Sequence, residues 1–190
     1  MTDAPSQPTP LAGVHPLLRS RFSPLDFDPT LDLTADDVDL LLDAARWAPS
    51  AGNSQPWAFV TVVRGTPDHA RLLAHLAPSS RRWAQHASVL VVCLAHRYVD
   101  DTDLTFSEFA DYDLGQAVAH LTLQASGMGL AARQFRAFDL EALAAELRPN
   151  PGWAIVSMVA VGLAAGAPAS QRTRIDLDEL QTAALSREAR

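Results

Sequence analysis

The chain has 190 residues, 48% of them apolar, and a formal net charge of −7. That length suits one domain, and the negative balance argues against nonspecific attachment to nucleic acid. All 15 basic residues are arginine, which excludes a lysine Schiff base and leaves guanidinium forks or backbone amides to grip phosphate.

Residues 1–10 contain Pro, Thr and Ser without a basic start or an apolar stretch, so they read as a disordered lead-in and not as a signal peptide. No apolar run approaches the roughly twenty residues of a membrane helix. Residues 11–190 are therefore expected to form a single domain of a cytoplasmic protein.

Leu11 to Arg21 reads as a first helix, followed by the proline-rich segment Arg21-Phe22-Ser23-Pro24-Leu25-Asp26-Phe27. Arg21 and Ser23, two apart in extended chain, project to one side, as a phosphate grip requires and as a surface Arg beside a turn Ser also would. Thr34 is a candidate N-cap, with Asp36 and Asp37 in the first turn. The helix it opens carries Val38, Leu41, Leu42 and Ala45 on one face and stops at Pro49.

Ser50 to Gln55 then forms a polar loop with a hydroxyl, an Asn amide and a Gln amide, before Pro56-Trp57 and the strand Phe59 to Val63. Gly, Asn, Ser and Pro make turns anywhere, so composition alone says only loop. Helix Asp68 to Leu76 comes next. Arg81 and Arg82 beside Trp83 read as a solvated helix face. Ser88 to Ala95 is unbrokenly apolar, a strand buried on both faces in mid-sheet, which makes its Cys93 an inert thiol.

The acidic turn Asp100 to Asp103 lacks the glycine and distal glutamate of a calcium loop. Leu104 to Met128 reads as one long central helix, with His120 a packing residue. Gly127 and Gly129 end that helix, Asp139 to Leu147 is helical, and Ala154 to Val161 is a third apolar strand. Ala164 to Ser170 is linker-like, Arg172 and Arg174 share one side of an extended segment, and Asp178 to Arg187 is a helix or an arm around a partner.

The order Ala48-Pro49-Ser50-Ala51-x-Asn53-x-Gln55-Pro56-Trp57 after a helix resembles the signature of the FMN-dependent nitroreductase family. Weaker likenesses lie at 21–27, 113–117, 129–139 and 172–174. The resemblance implies an α+β fold, a three-layer α/β/α sandwich with a mainly antiparallel central sheet. It further implies a homodimer with one FMN per site built from both subunits. Arg21, Ser23, Arg172 and Arg174 would hold the phosphate and ribityl chain. Pro49, Ser50, Asn53 and Gln55 would line the ring system. The Phe135-Arg136-Ala137 turn would aim the Ala137 amide at flavin N5; Arg136 beside it is a candidate to hold an anionic substrate or to compensate for Leu25, and a surface arginine would look the same.

Two positions depart from the family pattern. Leu25 stands where relatives carry a basic residue by the flavin pyrimidine, and Ser80 stands near a position often held by Asn. Ala137 replaces a glycine, which preserves the backbone donor as long as φ stays negative.

No side-chain catalyst and no metal are called for, because the flavin carries the chemistry. The activity implied is hydride transfer from NADH or NADPH through FMN to a nitroaromatic, quinone or similar acceptor. The alternatives are dehalogenation, dehydrogenation, or a flavin-sequestering protein with little turnover.

Overall fold

The computed structural model describes residues 13–168 and 172–184. The lead-in at 1–10, the start of the first helix at Leu11 and the chain beyond residue 184 lie outside the described residues.

The unbroken apolar run forms strand β3 (Val89–His96), paired antiparallel with β2 (Trp57–Val63) on one side and β5 (Trp153–Ala164) on the other. The far edge of β5 is shared by β1 (Phe27–Asp28) and β4 (Ala131–Phe135), also antiparallel. Alternate residues of β3 enter different layers, as the two-residue period of a strand demands. Val89, Val91, Cys93 and Ala95 pack with Leu41 and Ala45 of α2 (Ala35–Arg46) and with Leu114 and Leu121 of α5 (Ala110–Gly127). Leu90, Val92 and Leu94 pack with Leu72 of α3 (Pro67–Ala74), Trp83 of α4 (Pro78–Ala84) and Leu143 of α6 (Leu140–Leu147).

The result is the α/β/α sandwich that the resemblance implied. Each buried Leu or Val contributes about 1.5–3 kcal/mol of transfer free energy, so β3 is the chief anchor of both layers. Burial also pushes the Cys93 thiol up to about 12, an inert group. Among the described residues no helix is long and apolar enough to cross a membrane.

Several boundaries differ from the sequence reading. The central helix starts at Ala110 and not near Leu104, because the intervening segment folds back on the end of β3. There the Phe106 amide donates to the Arg97 carbonyl at 2.8 Å, and the Phe106 ring stacks on His96 with centroids 3.9 Å apart. Helix α4 exposes Arg81 and Arg82, as a solvated face should, but its Trp83 is 4% exposed and belongs to the core. The two-residue strand β1 was invisible to pattern reading, being too short to show a period. α1 is confined to Pro16–Ser20, and α7 to Leu177–Thr182 among the described residues.

Candidate functional site

The signature loop leaves α2 at Trp47 and turns sharply. Gly52, Asn53 and Gln55 lie at φ 58°, 55° and 48°, all left-handed. Glycine takes that region freely and Asn tolerates it, but for Gln55 it costs on the order of 1 kcal/mol. Such a backbone persists only where neighbours dictate it. Here the Gln55 amide donates to Ser50 Oγ at 3.0 Å, and the Ala51 amide donates to Asp113 Oδ2 at 3.0 Å.

Asp113 is 2% exposed in the first turn of α5, and its other oxygen accepts from Gln116 Nε2 at 3.3 Å. Gln116 also reaches the Pro49 carbonyl at 3.5 Å. Asp113 thus ties the loop to the central helix. Sequence reasoning noticed this residue only as part of a helix motif; the contact spans 62 positions, which no local period reveals. With its backbone fixed this way, the loop leaves Asn53 and Gln55 exposed, and their amides touch each other at 3.3 Å.

The arginines gather elsewhere. Arg21, Ser23, Leu25 and Arg172 line one cavity of about 270 Å³. Arg172 donates to the carbonyls of Arg19 and Arg21, pinning the tail to the N-terminal segment. Burial, and then the nearby guanidiniums of Arg172 and Arg174, pull Arg21 below the usual arginine range. None of the three has a carboxylate partner among the described residues. Three clustered cations that repel one another, beside a hydroxyl, are what a phosphate dianion would relieve.

Next to that cluster Leu25 is 69% exposed and brings no charge. A cation nonetheless stands close by. Arg133 of β4 donates to the Pro24 carbonyl at 2.9 Å and the Leu25 carbonyl at 3.4 Å, with its guanidinium carbon 4.2 Å above the Trp83 ring. No local pattern signals this placement, which depends on β4 and the 21–25 segment meeting at the same sheet edge.

At the other end of β4, Phe135 turns its ring edge-on to Trp83 at 5.0 Å, so its side chain belongs to the core and only its backbone borders the turn. Ala137 is exposed with negative φ, and its amide donates no hydrogen bond among the described residues. The donor expected there is therefore free. Arg136 is exposed and rests over the Phe138 ring at 4.8 Å. Ser80 is 4% exposed inside α4, so its side chain is not presented at an open surface.

Within one copy these groups do not all meet. The signature loop enters β2 at Trp57, level with Ala154 of β5 through Ala95, whereas the arginine segment enters β1 at Phe27, level with Ala164. Ala154 and Ala164 are roughly 30 Å apart along β5, and β2 lies about 15 Å across the sheet from the β1/β4 edge. Arg21, Ser23, Leu25, Arg172 and Arg174 form one group, Pro49, Ser50, Asn53 and Gln55 another, at opposite corners of the sheet.

The residues present nevertheless fit a flavin mononucleotide: a cationic cradle for its phosphate with no carboxylate partner among the described residues, and an open amide on the same sheet edge. Comparison with known proteins agrees with the geometry. The chain is 29% identical over 161 residues to a protein of Streptomyces coelicolor named as an NADH dehydrogenase/NAD(P)H nitroreductase, covering 74% of this chain and 79% of that one. A solved structure of an oxidoreductase containing FMN superposes with a TM-score of 0.76 at 28% identity, covering 87% of this chain and 84% of that one. A nitroreductase in complex with FMN from Desulfovibrio desulfuricans gives 0.71 at 25%, covering 87% and 95%. The profile of the nitroreductase family matches residues 18–163, the span from α1 to the end of β5 that holds the signature loop, Arg21, Asp113 and Ala137. The chain belongs to the nitroreductase family.

Proposed function

We propose that the protein is an FMN-dependent oxidoreductase whose bound flavin takes hydride from NAD(P)H at N5 and delivers it to a small acceptor such as a nitroaromatic or quinone. The observation that carries this reading is that Arg21 and Arg172 line one cavity with Ser23, with Arg174 near Arg21, and that none of the three has a carboxylate partner among the described residues. Family membership and the FMN named for two structural relatives support it.

The chain's own residues then have definite tasks. Arg21, Ser23, Arg172 and Arg174 hold the phosphate and ribityl chain; Arg133 supplies positive field where Leu25 cannot; the Ala137 amide points a donor at N5. Pro49, Ser50, Asn53 and Gln55 reach the ring system from a second copy of the chain. Their separation from the arginines within one copy supports this division, and with it a homodimer with FMN at its interface. A cytoplasmic setting goes with the nicotinamide donor.

Purified protein should be yellow, and NAD(P)H should bleach it under anaerobic conditions within seconds. Flavin that binds but stays oxidised would favour a sequestering role instead. Protein that cannot be reconstituted with FMN would overturn the reading altogether.

A further inference from the structure

A second cavity, of about 350 Å³, opens one residue from Ala137 and is lined by Arg136, Arg97, Leu140, Ala144, Trp153 and Ile155. Its size falls in the range of small-ligand pockets, about 300–1,000 Å³. The floor is apolar and firm. Ile155 is 5% exposed, and the Trp153 ring lies parallel to His96 at 4.6 Å, which is itself stacked on Phe106 at 3.9 Å.

The rim carries two arginines in unequal states. Arg97 is held by Asp111 in a two-point pair, Nε to Oδ1 at 2.9 Å and Nη2 to Oδ2 at 2.6 Å, which cancels its charge. The Arg136 guanidinium makes no ion pair or hydrogen bond among the described residues; only the Phe138 face supports it. One uncompensated positive charge thus stands over an apolar pocket.

We propose that this cavity is the acceptor subsite and that Arg136 selects molecules bearing a single carboxylate on an apolar aromatic body. A phosphate dianion would call for a second free cation, and Asp111 has already neutralised the one available. The acceptor role rests on the flavin reading above, whereas the carboxylate preference rests on the cavity alone. Because Arg136 is exposed to solvent, its contact with a carboxylate favours that ligand by up to about fivefold in affinity.

The test compares para-nitrobenzoate with its neutral isostere para-nitrobenzamide, by equilibrium dialysis against the purified protein and by kcat/KM with NAD(P)H. The parent should favour the carboxylate by about threefold to fivefold in both measurements. R136Q should abolish the preference, and R136K should restore part of it. Equal binding of the two compounds by the parent, or a preference that survives in R136Q, would overturn the proposal. A colourless protein that still prefers the carboxylate in dialysis would sink the flavin reading and leave this site standing. Yellow, reducible protein without the preference would do the reverse.

Discussion

Asp113 illustrates how one buried carboxylate governs a distant loop. Its oxygen is the acceptor for the Ala51 amide, and removing it strands that donor at the root of a left-handed turn. Asp113→Ala should therefore cost about 1.5–3 kcal/mol in urea unfolding and weaken FMN binding. Asp113→Asn, which keeps an acceptor oxygen, should lose less of both. Equal losses for the two variants would show that the hydrogen bond is not the cause.

His69 makes a different point about single residues. It is 5% exposed, its Nε2 has no partner, and burial followed by the nearby Arg64 lowers its pKa. The folded state thus disfavours the charged ring. As pH falls below about 6.5, the unfolded chain takes up this proton more readily than the fold does, and stability drops. At higher pH the ring is neutral in both states and the penalty vanishes. His69→Phe should flatten this part of the pH–stability curve measured by thermal melting; an unchanged slope would exclude His69 as its source.

At the scale of elements, local chemistry was often readable. Thr34 Oγ1 accepts the Asp37 amide at 3.2 Å and Asp37 returns a carboxylate to the Thr34 amide at 2.9 Å, so α2 opens with the cap its sequence announced. Thr34→Ala should cost about 1 kcal/mol, visible as a lowered Tm, while Thr34→Ser should cost almost nothing. β3 was equally plain, since an unbroken apolar run has nowhere to go but mid-sheet. The start of α5 was not plain. Phe106 and Phe109 extend a helical period, but stacking on His96 and backbone pairing to Arg97 hold that segment outside the helix. Tertiary contacts overrode the pattern there, as they did for the short strand β1 and the buried Trp83.

At the scale of the whole molecule, the motifs named the candidate flavin residues and the resemblance implied a site shared by two copies, but the distance between the two groups within one copy was not legible. Ordering along the chain places Arg21 and Ser23 near the signature loop, yet the antiparallel sheet carries the two groups to opposite corners. Arg133 is the counterpart case: remote in sequence from Leu25, it stands beside that residue's carbonyl because both lie on the β5 edge. No motif foretold that placement. In the proposed site, each FMN is held by arginines of one copy and the Asn53/Gln55 loop of another.

Mixed dimers test it most directly. One chain would carry Arg21→Ala with Arg172→Ala. The other would carry Asn53→Gly with Gln55→Gly, glycine being chosen to keep the positive-φ backbone. Alone, neither variant should retain FMN. Co-expressed, they should regain it, because a mixed dimer contains one site with both halves intact. Failure of the mixture to bind FMN, with mixed dimers shown to be present, would contradict a shared site.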